Sequence, residues 1–162
     1  MKHRILIVVS DFNQQVTHSL LEACLETLYK ASLKESQLQV VHVPGAFELP
    51  LMAAKGARSK RWDAVICLGC VIRGETPHFD YVCQEAARGL MQIGLETEKP
   101  VIFGVLTTET GEQALARAGL RPSTQSDPLG IKQVVENKGI DAAQAAITML
   151  KNFSHWEGNE NR

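Results

Sequence analysis

Residues 64–72 of the chain read AVICLGCVI, and this stretch decides the fold class. Apolar residues fill it almost continuously, which is typical of a β-strand that is covered on both faces. A helical stripe of apolar residues follows it, formed by Phe79, Val82, Cys83, Ala86, Leu90 and Ile93. A buried strand followed by an amphipathic helix predicts a parallel sheet with helices packed against it.

The same alternation continues towards both ends of the chain. Three further apolar, β-branched runs predict strands at residues 5–9, 38–43 and 101–106. After the first of these runs comes a second helical stripe, formed by Val16, Leu20, Leu21, Cys24 and Leu28. Beyond the last run, residues 110–113 have capping-box spacing and predict a short helix that stops at Gly119. An Ala-rich segment then predicts a final helix, whose apolar positions include Ile140, Ala143, Ile147 and Leu150.

Strands and helices therefore alternate from one end of the chain to the other. We expect an α/β fold, a three-layer α/β/α sandwich around a central four-stranded parallel sheet of the flavodoxin-like kind. The chain has 162 residues, 44% of them hydrophobic, which fits one domain over residues 1–162. We expect its ordered core at about residues 4–155, because the end of the chain is polar.

The overall charge argues against two classes of partner. Lys and Arg number 17 and Asp and Glu number 18, so the formal net charge of −1 provides no electrostatic footprint for nucleic acid or an anionic membrane. The apolar run that follows Arg4 is too short for a signal peptide, and no stretch is long enough to span a bilayer. We therefore expect a cytoplasmic protein that holds any anionic ligand through local groups.

Two of the four cysteines, Cys67 and Cys70, have the C-x-x-C spacing of zinc and redox sites. Both lie in the predicted strand at residues 64–72, where side chains three residues apart point to opposite faces. They are therefore not expected to bind one metal ion, and free cysteines are common as small buried hydrophobic residues. No metal site is predicted.

The residues that follow each predicted strand are polar or aromatic, and in an open parallel sheet this is where ligands bind. These segments are residues 10–13, 44–48, 73–78 and 107–108. Phe12 is either a hydrophobic plug for the first helix or a stacking platform for a flat heterocycle. Glu48 is either a carboxylate placed at a helix start by the helix dipole or an acceptor for hydroxyl and N–H groups of a ligand.

Residues 74–76 lead into the third helix, where free backbone N–H groups and a hydroxyl suit a phosphate. The same residues also fit an ordinary helix start, with Thr76 as the N-cap and Pro77 at the first helical position. His78 is either a solvated surface histidine or a proton shuttle beside the phosphate. Walker A, G-x-G-x-x-G and G-x-S-x-G signatures are absent, so the pattern alone predicts only a pocket for a small phosphorylated ligand.

The turn segments closely resemble those of the lumazine synthase family. The matching segments are VSDFN at residues 9–13, VPGAFELP at 43–50, LGCVIRGETPHFDYV at 68–82, PVIFGVLTT at 100–108, and the short matches at 112–114 and 117–119. They run in order along the chain from residue 4 to about residue 150, and residues 69–82 are the most specific. The resemblance implies a cofactor-free transferase of riboflavin biosynthesis. It would condense 5-amino-6-(D-ribitylamino)uracil with 3,4-dihydroxy-2-butanone 4-phosphate to 6,7-dimethyl-8-ribityllumazine, with release of phosphate.

The resemblance also assigns roles to individual residues. It makes His78 the catalytic proton shuttle. Substrate binding would fall to Phe12, Ala46, Phe47, Glu48, Cys70, Val71, Ile72, Phe103 and Lys138. Phosphate binding would fall to Glu75, Thr76 and Arg117. In the family, the positions of Phe103, Arg117 and Lys138 reach the pocket from the adjacent subunit.

A homo-oligomer with pockets between subunits is therefore implied, and we expect a pentamer or decamer. The connection at residues 120–136 is longer than in most members, and we expect it to hinder packing into a sixty-subunit shell. Asp11 stands before Phe12 where a basic residue is common. Two rival interpretations are an archaeal-type riboflavin synthase, which shares the fold, and a non-catalytic lumazine- or flavin-binding protein on the same scaffold.

Overall fold

A four-stranded parallel sheet forms the centre of the molecule. In the computed structural model, which describes residues 3–120 and 136–160, the strands stand in the order β2-β1-β3-β4. They are β1 (Ile5–Ser10), β2 (Leu38–Val43), β3 (Ala64–Ile72) and β4 (Val101–Thr108). All three neighbouring pairs are parallel, which confirms the predicted sheet.

Helices cover both faces of this sheet, as a three-layer sandwich requires. They are α1 (Gln14–Lys30), α2 (Leu49–Arg58), α3 (His78–Thr97), α4 (Gly111–Arg117) and α5 (Lys138–Glu160), with 3₁₀ turns at Glu35–Gln37 and Ala46–Glu48. Among the described residues, no helix carries an apolar stretch of the length that a membrane span needs.

Strand β1 shows why the sequence specifies two helical layers. All six of its residues are buried. Ile5, Ile7 and Val9 belong to a core cluster shared with α1 and α5, whereas Leu6 and Val8 belong to a second cluster shared with α2 and α3. Each fully buried aliphatic side chain of this kind stabilises the fold by about 1.5–3 kcal/mol relative to an exposed one. A strand with one polar face would not support both layers.

Strand β3 places the side chains of Cys67 and Cys70 on opposite faces of the sheet, as strand geometry predicted. Cys67 lies in the cluster on the α2 and α3 side, and Cys70 lies in the cluster on the α1 and α5 side. The two thiols are free and buried on opposite faces of the sheet. Burial raises the pKa of the Cys67 thiol, because a thiolate would lose its hydration there.

The predicted end of β4 and the predicted start of α3 are wrong. Strand β4 runs two residues further than predicted, so Thr107 and Thr108 lie in the strand, paired with Val71 and Ile72, and do not follow it. Helix α3 begins at His78 with Pro77 at its N-cap, so Thr76 is not the capping residue. The final helix continues to Glu160.

The residue before α5 is held against the residue that follows α4. Ala118 and Asn137 form an isolated antiparallel bridge, and the Asn137 side-chain amide donates to the Ala118 carbonyl at 2.9 Å. The Ser19 hydroxyl donates to the same carbonyl at 2.7 Å. We call this arrangement the α4–α5 clasp. The longer connection predicted at residues 120–136 lies between its two ends, almost wholly outside the described residues.

Candidate active site

The strand order places a ligand crevice between β1 and β3. The chain moves from β1 to β2 on one side and then returns to β3 on the other, so the topology switches direction at this pair. In doubly wound sheets the loops that follow two such strands separate and leave a cleft. The segments after β1 and β3 are those that contain Phe12 and His78.

The loop after β1 presents Phe12 on a fixed backbone. The Asp11 N–H donates to the Val43 carbonyl at 2.8 Å, and the Phe12 N–H donates to the Pro44 carbonyl at 3.1 Å. Asn13 has a left-handed backbone with φ of 60°, and its side-chain amide donates to the Cys70 carbonyl at 2.9 Å. The Phe12 side chain is 70% exposed. It is therefore no plug for the first helix, and its ring is free to stack.

Sequence reasoning missed one ion pair beside this loop. The Asp11 carboxylate lies 2.7 Å from the His42 imidazole, which joins the ends of β1 and β2. A carboxylate at position 11 can share a proton with the His42 ring in a hydrogen bond, which a basic side chain could not do. In the sequence, the acidic residue Asp11 before Phe12 was the one signal of this contact, but it did not indicate that His42 is its partner.

Glu48 is exposed at the N-cap position of α2, at the end of the 3₁₀ turn. A Cβ atom built on Gly45 would lie 3.1 Å from the Glu48 Oε2 atom, so the carboxylate folds back over the glycine backbone. Within the same turn, Ala46 is buried and Phe47 is exposed. Ala46 can therefore offer a ligand only main-chain groups, whereas Glu48 can offer a carboxylate.

The end of β3 contributes its backbone to the cleft more than its side chains. Cys70 is buried, and its carbonyl accepts a hydrogen bond from the Asn13 side-chain amide. Val71 and Ile72, the last two residues of β3, are half-buried and lie nearer the opening of the cleft. Burial raises the pKa of the Cys70 thiol to about 11. A nucleophilic role for this thiol at neutral pH is therefore disfavoured.

Residues 74–77 form an exposed loop between β3 and α3, which we call the anion loop. Gly74, Glu75 and Thr76 carry backbone N–H groups, and the loop ends at the positive end of the dipole of the 20-residue helix α3. His78 is the exposed first residue of that helix. The geometry thus places an imidazole directly after a segment suited to an anion.

Arg73, the residue before the anion loop, forms a network that sequence reasoning missed. Its guanidinium donates to Asp80 through two nitrogens, at 2.9 and 3.1 Å, and to Glu109 at 2.6 Å. It also lies 4.1 Å from the centroid of the Phe79 ring. The hydrogen bonds from Arg73 lower the pKa of Asp80, because they stabilise its ionised form.

A second group of predicted residues meets elsewhere, along the free edge of β4. Phe103, Arg117 and Lys138 line one groove of about 400 Å³, together with Asp141 and Ala142. The Lys138 ammonium bridges Asp141 at 2.8 Å and Glu136 at 3.0 Å. These hydrogen bonds raise the pKa of Lys138. Phe12, Glu48 and His78 do not line this groove, so the described part of one chain carries the predicted residues in two separate groups.

The fold defines a flavodoxin-like α/β domain, and the polar and aromatic residues at its carboxyl edge are those expected of one that handles a small phosphorylated ligand. The model of the 6,7-dimethyl-8-ribityllumazine synthase family matches residues 2–154. A 6,7-dimethyl-8-ribityllumazine synthase from Salinibacter ruber (strain DSM 13855 / M31) is 49% identical over 156 residues, which are 96% of this chain and 92% of that protein. The chain belongs to the lumazine synthase family, which confirms the resemblance found in its motifs.

Proposed function

We propose that this chain condenses 5-amino-6-(D-ribitylamino)uracil with 3,4-dihydroxy-2-butanone 4-phosphate, in a site that two neighbouring subunits share. Family membership makes the chain a transferase of riboflavin biosynthesis and a lumazine synthase. The observation that carries the proposal of the site is the pairing, across the β1–β3 cleft, of an exposed aromatic ring with an anion loop that ends at a histidine. The product would be 6,7-dimethyl-8-ribityllumazine, released with phosphate and water.

The uracil would bind on the β1 side of the cleft. Phe12 would stack on the pyrimidine, since its ring is exposed while its backbone is tied to the end of β2. The 3₁₀ turn Ala46–Glu48 would hold the uracil and the ribityl chain, through main-chain groups of Ala46 and Phe47 and the Glu48 carboxylate. Val71 and Ile72 would meet the ring edge, and Cys70 would act less directly because its carbonyl already accepts Asn13.

The phosphate would bind on the β3 side. Backbone N–H groups of Glu75 and Thr76, the Thr76 hydroxyl and the dipole of α3 would bind its oxygens. Arg117 would neutralise the departing phosphate, since a guanidinium stays charged and binds two oxygens at once. Within residues 3–120 and 136–160, the hydrogen bond of its guanidinium is a long one, from Nη1 to the Gln113 carbonyl at 3.4 Å, so turning the side chain towards a ligand would cost little.

His78 would move the protons of the reaction. The amine of the uracil adds to the ketone and loses water to form an imine, and phosphate then leaves with the electrons of its C–O bond. The enol that remains tautomerises to a ketone, and the ribitylamino nitrogen attacks this carbonyl and closes the second ring with loss of a second water. An imidazole beside the phosphate can take the proton that precedes elimination and return it to a leaving group. Holding two reactants in place supplies much of the acceleration, so His78 would contribute a smaller factor of about 10²–10⁴.

The second group of residues would complete the site of a neighbouring subunit. Phe103, Arg117 and Lys138 share a groove on the free edge of β4, away from the β1–β3 cleft of their own chain. The described surface also carries large exposed apolar residues suited to subunit contacts: Leu51, Tyr81, Met91 and Leu95. We therefore propose a homo-oligomer, either a pentamer or a decamer made of two pentamers, acting in the cytoplasm.

Mixing the two substrates with the purified protein tests the proposal, with absorbance of the lumazine product and phosphate release followed together. Both signals should rise well above the uncatalysed mixture. His78→Ala should slow them without abolishing them, and Arg117→Ala should weaken them further. His18→Ala is the matched control, because His18 is an exposed histidine on α1 that pairs only with Glu22 among the described ion pairs. A protein that binds lumazine or riboflavin but gives no rate would instead be a binding protein.

A further inference from the structure

Arg73 joins the anion loop to two other parts of the sheet edge. Its backbone N–H donates to the Thr108 carbonyl at 2.9 Å, which continues the pairing of β3 and β4 by one residue. Its side chain reaches Asp80 in the first turn of α3 and Glu109 in the turn after β4. A single residue thus connects the end of β3, the start of α3 and the end of β4.

The shape of the guanidinium makes this connection directional. Two of its nitrogens meet both oxygens of the Asp80 carboxylate, a planar fork that fixes the angle between the two groups. The third nitrogen binds Glu109, and one face of the plane rests near the buried Phe79 ring. Lysine has neither the fork nor the flat face, so it would keep the charge but lose this geometry.

The Arg73 guanidinium is already engaged by carboxylates and not by a ligand. All three side-chain nitrogens already donate to carboxylates. Two carboxylates also outnumber one guanidinium, so the network carries a net negative charge beside the anion loop. The hydrogen bonds from Arg73 lower the pKa of Asp80, which keeps that carboxylate ionised and paired at neutral pH. Positive charge for the phosphate must come from elsewhere.

We propose that Arg73 is a positioning residue that holds the anion loop and His78 in the orientation needed by the keto-phosphate. The start of α3 carries both the loop N–H groups and the imidazole, and the Asp80 contact fixes that start relative to β4. The proposal rests on the proposed function, because it takes the anion loop as the phosphate site. It adds a role for Arg73, Asp80 and Glu109 that does not require contact with either substrate.

Steady-state kinetics with each substrate varied in turn tests the proposal. Arg73→Lys, Arg73→Met and Asp80→Asn should each raise KM for the keto-phosphate about tenfold, a factor that corresponds to about 1.4 kcal/mol. KM for the uracil should stay within about twofold, since Phe12 and Glu48 lie on the other side of the cleft. Arg73→Met combined with Asp80→Asn should be no worse than the poorer single variant, because either change already breaks the same contact. Arg88→Met is the control, since Arg88 lies on α3 and pairs with Glu85 outside the loop.

Three results would overturn the proposal. If Asp80→Asn leaves KM for the keto-phosphate unchanged while Arg73→Lys raises it, Arg73 binds the phosphate directly. If both KM values and the melting temperature change together, the network only stabilises the fold. Unchanged kinetics in Arg73→Lys would also refute it. Should Arg73→Met fail to fold, Arg73→Lys and Glu109→Gln carry the test. Thr76→Val and Arg117→Ala are measured in parallel as a test of the proposed function itself. If the anion loop is not the phosphate site, these two variants will leave KM for the keto-phosphate unchanged.

Discussion

A single methyl group at Gly45 should weaken binding of the uracil substrate without weakening the fold. The Cβ atom of Gly45→Ala would lie 3.1 Å from the Glu48 Oε2 atom, whereas ordinary contacts start at 3.4 Å, so the carboxylate must move by about 0.3 Å. The Gly45 backbone is extended, with φ of −146° and ψ of 179°, a conformation that alanine adopts without strain. The substitution therefore acts on one side chain of the proposed site.

The size of the effect follows from the interaction that is disturbed. A hydrogen bond to a carboxylate contributes about 1.5–3 kcal/mol, and losing half of it costs about 0.7–1.5 kcal/mol. Because 1.4 kcal/mol is a factor of ten, KM for the uracil should rise about 3- to 10-fold, with kcat nearly unchanged. The melting temperature should stay within about 2 °C, since alanine also restricts the unfolded chain.

Initial rates at varied uracil and fixed keto-phosphate measure this change. Gly111→Ala is the matched control, because its Cβ would have no neighbour within 4 Å. An unchanged KM for the uracil in Gly45→Ala would refute the reasoning, since the displaced carboxylate would then not contact the substrate. A rise in KM for the keto-phosphate alone would mean that Glu48 contacts that substrate and not the uracil.

Three further predictions concern the assembly, the first turn of α5 and the thiols. Co-refolding Phe12→Ala with Arg117→Ala subunits should restore about a quarter of the wild-type rate, because random pairing leaves about one site in four with both native residues. A mixture that is no more active than either variant alone would place the site within one chain. Gly139→Ala should lower thermal stability by several kcal/mol in an unfolding experiment, since its Cβ would collide with the Leu20 carbonyl group, a backbone contact that cannot give way easily; a wild-type melting curve would contradict it. Cys24 and Cys70 should resist iodoacetamide at pH 8 until the protein unfolds, because burial raises their pKa values to about 12 and about 11, and early labelling of Cys70 in mass spectrometry would be inconsistent with its burial. The free energy of unfolding should also fall as the pH rises from about 9 towards 11, because the thiols ionise first in the unfolded chain.

The fold followed from the sequence because its strands are defined by local composition. The stretch AVICLGCVI predicted β3 with correct bounds, because a strand that is covered on both faces needs apolar residues at nearly every position. The end of β4 was missed for a related reason. Thr107 and Thr108 are polar, so periodicity ended the strand early, but the pairing of Thr108 with Ile72 extends it. Tertiary pairing, which no local pattern contains, decided this boundary.

The candidate site was predicted in part, and the division has a physical cause. Phe12, Glu48 and His78 were found because the carboxyl ends of parallel strands share one edge, which is a rule of topology. Phe103, Arg117 and Lys138 came only from the resemblance, since strand period and helix period do not show which residues meet across β4 and α5. The contacts of Asn13, His42 and Arg73 join segments that are distant in the sequence, so they depend on the register between neighbouring strands of the folded sheet.

The α4–α5 clasp has a consequence for how the chain can change length. Its hydrogen bonds fix Ala118 and Asn137 beside each other, so the neighbouring Arg117 and Lys138 keep their places whatever number of residues is inserted between them. Closing a longer loop costs little, about 0.6 kcal/mol for each doubling of its length. We therefore expect a change in the length of this connection to cost the fold of one chain little, and a foreign peptide inserted there should leave Arg117 and Lys138 in place.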